Sequence, residues 1–62
     1  MNPSDVLGII QTRGFAVIQS DDHKKLSRLV DDVLAKARLS AIAVQSNFWR
    51  DDRVMLAVAR KG

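Results

Sequence analysis

His23 is the only imidazole in the chain, and it follows directly on two carboxylates, Asp21 and Asp22. An imidazole beside carboxylates is the raw material of a metal site or an acid-base pair. As a ligand set it is poor, because the chain has no cysteine and no second histidine to complete a coordination sphere. Aspartates also come in adjacent pairs at Asp21-Asp22, Asp31-Asp32 and Asp51-Asp52. A catalytic carboxylate pair needs shielding that drives its two pKa values apart. These pairs fall instead where a helix cap, a solvated helix face and a turn would use them. The sequence holds no glycine-rich phosphate loop, no nucleophile elbow and no metal-ligand spacing. The expectation is therefore a protein that is not an enzyme, without catalytic residues, metal, cofactor or small-molecule substrate.

Basic residues offer a second kind of chemistry. Ten Lys and Arg stand against seven Asp and Glu, giving a net charge of +3 and a pI near 10.0. Trp49 could stack on a base while Arg13, Arg50, Arg53, Arg60 and Lys61 contact phosphates. Against this, stacking modules generally present two or three aromatics, and Trp49 is the one aromatic expected on its side of the hairpin, Phe48 facing the core. The charges of the central segment, Lys24, Lys25, Arg28, Lys36 and Arg38, are interleaved with Asp21, Asp31 and Asp32 at helical spacing. That pattern marks a solvated face rather than a phosphate track.

Both chemistries depend on what the chain can build. Sixty-two residues make one domain, 1–62, and a domain of about 60 residues buries only ~60% of the surface of its unfolded chain. Without cysteine there is no disulfide or thiolate metal site to reinforce so small a core, which favours self-association, a dimer being the simplest form. The first residues lack the pattern of a secretory signal, and no run approaches the 18 or more apolar residues of a membrane span. The reading at this level is a cytoplasmic protein with no membrane partner.

Asn2-Pro3 opens a helix from Pro3 to Arg13 with Gly14 as its left-handed stop. Gly8 weakens that helix by ~1 kcal/mol relative to alanine, unless it serves a close approach. Phe15 to Gln19 follows as a short strand, apolar on both faces. Ser20 or Asp21 then caps a helix from about Asp21 to Leu39. Its apolar residues Leu26, Leu29, Val30, Val33, Leu34 and Ala37 recur at i, i+3, i+4, i+7, i+8 and i+11.

The remaining segment, Ala41 to Arg60, reads as a β-hairpin. A two-residue turn at Asp51-Asp52 pairs Phe48 with Met55 and Val44 with Ala59, mixing apolar and polar residues on each face. An odd loop of three or five residues pairs Phe48 with Val54, Ser46 with Leu56 and Val44 with Val58, which makes one face apolar throughout. Register follows the buried face, so the odd loop is expected, with Asp52 at positive φ.

The pieces give an α+β fold of order α-β-α-β-β: a three-stranded mixed sheet, strand order 1-3-2, with both helices on one face and a right-handed crossover joining strands 1 and 2. The arrangement resembles the split β-α-β pattern of many small α+β domains, a likeness of topology that carries no functional residue. The opposite sheet face would carry Gln45, Asn47, Trp49, Arg53, Met55, Ala57 and Ala59, flanked by Ala41 and Ala43. Exposed apolar area of this kind marks an interaction site. The expected function is a small regulator or inhibitor, of the kind found as bacterial or phage accessory proteins, that docks on a partner protein and self-associates through this face. A nucleic-acid binder using Trp49 and its flanking arginines is the alternative.

Overall fold

A computed structural model describes residues 1–59, in the order α1 (Pro3–Arg13), β1 (Phe15–Gln19), α2 (His23–Leu39), β2 (Val44–Trp49) and β3 (Arg53–Val58). Helix α1 begins and ends where its punctuation requires. Asn2 Oδ1 accepts a hydrogen bond from the Asp5 amide at 2.9 Å, and Pro3, with no N–H to satisfy, takes the first position. Gly14, at φ 90°, turns the chain out of the helix while its amide donates to the Ile10 carbonyl at 2.7 Å.

The cap of α2 is Asp22, not Ser20 or Asp21. Its Oδ1 accepts from the amides of Lys24 and Lys25 at 3.0 and 3.3 Å. An N-cap side chain reaches the amides two and three residues ahead of it, and only Asp22 stands at that distance from the first free amides of a helix starting at His23. Ser20 acts one step earlier, its hydroxyl accepting from the Asp22 amide at 3.1 Å.

Helix α2 ends in a Schellman motif. The Ile42 amide donates to the Ala37 carbonyl at 2.8 Å and the Ala41 amide to the Arg38 carbonyl at 3.2 Å. The motif places Ala41 at φ 57°, the only non-glycine residue at positive φ among those described. Ala41 and Ile42 are thus used to stop the helix, and β2 begins at Val44 rather than at Ala41.

The sheet has the expected order β1-β3-β2. It is antiparallel throughout, not mixed. Strands β1 and β2 do run the same way, but β3 lies between them and opposes both, so no parallel pair is in contact. Both helices cover one face. Val6 and Ile10 from α1, and Leu26, Val30 and Val33 from α2, meet Ala16, Ile18, Val54 and Leu56 from the strands in one buried cluster. Full burial of such a side chain contributes ~1.5–3 kcal/mol, and β3, the central strand, supplies two that are wholly enclosed, Val54 and Leu56.

The hairpin combines both registers considered above. Away from the turn, Val44 pairs with Val58 and Ser46 with Leu56, as the odd loop requires. At the turn, Phe48 pairs with Met55 and Trp49 with Val54, which is the two-residue register. Asn47 is the extra residue between them, a β-bulge. The Arg50 amide donates to the Arg53 carbonyl at 2.8 Å and the Arg53 amide to that of Arg50 at 3.4 Å, so the connection is the two-residue Asp51-Asp52 turn. Asp52 does not have positive φ. A turn without positive φ lacks the twist that two-residue hairpins favour, and a bulge increases the local right-handed twist. Asn47 supplies what the turn does not.

Candidate sheet-face interface

The bulge decides which side chains share the open face. Directly paired residues of an antiparallel ladder project to the same side. Phe48, paired with Met55, is therefore on the open face and not in the core. Trp49, paired with the buried Val54, is on the helix side and not on the open face. Its indole lies against the His23 imidazole at the start of α2, with ring centroids 6.0 Å apart. The expected face thus loses its one tryptophan and gains a phenylalanine.

Strand β1 adds more than the sequence reading gave it. Phe15 stands beside Ala57, which pairs on its other side with Gln45. In the next row Val17, Met55 and Phe48 lie across the three strands, and Gln19 pairs with Arg53 beyond them. Phe15, Val17 and Phe48 are 46%, 47% and 38% exposed, large values for such side chains. Along β1 exposed and buried residues alternate, Ala16 and Ile18 turning inward. The strand is apolar on both sides, but only one side is covered. Ala59, whose amide donates to the Ala43 carbonyl at 2.7 Å, extends the floor by one pair. Asn47 is the inserted residue of the bulge and Ala41 the left-handed residue of the helix stop, so neither is in the strand pairing.

Among the described residues Arg13 and Arg53 lie toward opposite ends of β1, Arg13 ending α1 before Phe15 and Arg53 pairing with Gln19, and the strand between spans about 13 Å at ~3.3 Å per residue. Arg53 Nε lies 3.9 Å from Asp52 Oδ1, with both side chains about half exposed, a geometry of little energetic weight. Asp52 has a further use. Its Oδ2 accepts from Gln19 Nε2 at 2.8 Å and its carbonyl accepts from the Ser20 amide at 2.8 Å, so the hairpin turn is tied to the end of β1. Arg50 lies with His23, Trp49 and Asp51 around a shallow depression on the other side of that turn. Arg60 and Lys61 fall outside the described residues.

Among the described residues no three His, Cys, Asp or Glu side chains come together as a metal-binding group, and no polar or charged side chain is buried. The interleaved charges of α2 make no ion pair within 4 Å among these residues, the Arg53–Asp52 contact being the one pair found. No helix among them is long and apolar enough to cross a membrane. Family models, curated proteins and solved structures all fail to match this chain, so the reading of the site rests on its own geometry.

Proposed function

We propose that this chain is a non-enzymatic interaction module that regulates or inhibits a partner protein by docking on it through the open sheet face. The observation that carries the reading is the contiguous row Val17–Met55–Phe48 with Phe15 and Ala57 beside it. Large apolar side chains gathered on one face mark interaction sites, whereas scattered ones need no explanation. Gln19, Gln45 and Arg53 form a polar margin, the usual anatomy of a contact patch. Three strands about 4.8 Å apart and some 17 Å long make a small platform, below the ~800 Å² per partner of a standard interface. Docking through it is accordingly of the weak or transient kind.

The test is capture from nuclease-treated lysate of the native source by wild type and by two face variants, Phe48→Asp and Met55→Glu. Both positions lie outside the buried core, so melting curves should stay close to wild type. Loss of the same captured protein with both variants is expected. Capture unchanged by either removes the open face as the docking surface.

Nucleic-acid binding is kept as a second reading because Phe48 joins Phe15 on the exposed face, giving two aromatics where one was expected. It requires steeply salt-dependent oligonucleotide binding that Phe15→Ala and Phe48→Ala both weaken. No binding at low salt eliminates it.

A further inference from the structure

The sheet has two edges, and they differ. Along β2 the outward row is interrupted by the bulge at Asn47, a common device against edge-to-edge pairing. Strand β1 has no such protection. It pairs with β3 in unbroken register from Phe15 to Gln19 and contains no charge and no proline. The Ser20 amide donates to the Asp52 carbonyl, and the Gly14 carbonyl accepts from the Val58 amide. Even-numbered residues of β1 therefore turn their backbone groups toward β3, and Phe15, Val17 and Gln19 turn theirs outward, unpaired by the sheet. A groove lined by Met1, Ile9, Arg13, Phe15, Ala16 and Val17 lies along this strand. Phe15 and Ala16 point to opposite faces of the sheet, so a groove that both line opens at its edge.

We propose that the β1 edge is a self-association site, occupied by β1 of a second copy in antiparallel register about a two-fold axis at Val17. This register matches the outward groups. Phe15 pairs with Gln19 of the partner subunit, Val17 with Val17 of the partner subunit and Gln19 with Phe15 of the partner subunit. Each pair exchanges two hydrogen bonds, so every outward amide and carbonyl of these residues is satisfied. The uncharged strand meets no like charge in its own copy. Antiparallel pairing sets the end of β1 that Asp21 follows beside the end that Arg13 precedes, at both ends of the axis, so the charges flanking the strand are opposite in sign. On the helix side Met1, 79% exposed, and the half-buried Ile9 line the same groove and are covered by the second copy. The product is a continuous six-stranded antiparallel sheet with both open faces on the same side. A second copy is thereby bound without using the face proposed for the partner protein.

Sedimentation velocity over a concentration series tests this on the full chain. Val17→Pro removes only an outward amide, which an edge strand tolerates, and should give a monomer with wild-type far-UV circular dichroism. Arg13→Glu and Asp21→Lys should each weaken the dimer by about tenfold at low salt, and the double variant should recover to within about threefold. Met55→Glu, on the open face, should leave the dimer intact. Wild type that stays monomeric at about 1 mM overturns the proposal, as does Val17→Pro that dimerises normally or Met55→Glu that alone abolishes the dimer. Should Val17→Pro fail to fold, Val17→Cys decides, since the chain has no other cysteine. Rapid oxidation to a cross-linked dimer, with Ala57→Cys remaining uncross-linked, supports the edge. The reverse ranking overturns it.

Discussion

Exchanging two residues, Gly8→Ala together with Ala41→Gly, should stabilise this protein without changing its composition. Gly8 lies inside α1, is exposed, and a β-carbon built on it meets no atom within 4 Å. Alanine there should gain ~1 kcal/mol. Ala41 occupies the left-handed position of the Schellman motif at φ 57°, where a side chain costs ~1–2 kcal/mol. Glycine relieves that strain but gives back ~0.4–1 kcal/mol through a freer unfolded chain, leaving a net gain of about 0.5–1 kcal/mol. In the double variant the unfolded-state effects of the two changes largely cancel, and the total is about 1.5–2 kcal/mol if the sites are independent. For a domain of this size each kcal/mol raises Tm by about 4–8 °C. Urea and thermal unfolding of the two single variants and the double, each at one fixed protein concentration, measure it. Ala35→Gly, in the exposed interior of α2, is the control and should lose ~1 kcal/mol. Two results would refute the reasoning: Ala41→Gly falling as far as Ala35→Gly, or Gly8→Ala failing to exceed wild type.

Asp22→Ala should cost ~1 kcal/mol in urea unfolding through loss of the α2 cap, while Asp21→Ala stays within ~0.5 kcal/mol; equal losses would contradict the cap assignment. Leu56→Ala, in the central strand, should cost ~2–5 kcal/mol. Sixty-two residues at ~0.05–0.15 kcal/mol each hold only about 3–9 kcal/mol in all, so this is a large share of the total, and Tm followed by circular dichroism should fall by about 8–40 °C at about 4–8 °C per kcal/mol. His23→Ala should change the emission of Trp49, the sole tryptophan, because the imidazole 6.0 Å away is removed; an unaltered spectrum would place the indole away from α2.

The sequence was most legible where one signal acts alone. Asn2-Pro3 and Gly14 bracket α1, the apolar spacing from Leu26 to Ala37 marks the buried stripe of α2, and the bounds of β1 match its apolar run. Strand order was legible too, the long apolar run of β3 standing at the centre of the sheet as expected. The hairpin was not legible, since each register explains half of it. Val44–Val58 supports one and the Asp51-Asp52 turn the other. Only an inserted residue reconciles them, and Asn47, polar and exposed, carries no mark of being that residue. The open face went astray for the same reason, as one residue of slip exchanges Phe48 and Trp49 between its sides. Phe15 and Val17 could have been found from the alternation of β1 about Ala16 and Ile18, had the strand been given a bare side. Ala41 was hidden because alanine is not a residue that signals a left-handed turn.

The central position of β3 also orders the folding reaction. Its pairing with β2 closes across two residues, a local event of the kind completed in ~1–10 μs. Its pairing with β1 must close a loop that contains all of α2 and β2, Gln19 meeting Arg53, and so carries a larger entropic cost and a slower search. Hairpin contacts should therefore form early in the folding transition state and β1 contacts late. In the monomer β1, held on one side only, should come away before β2 and β3 separate. Amide exchange would show this as a step in protection across the sheet, with Ala16 and Ile18 exchanging ahead of the amides shared by β2 and β3.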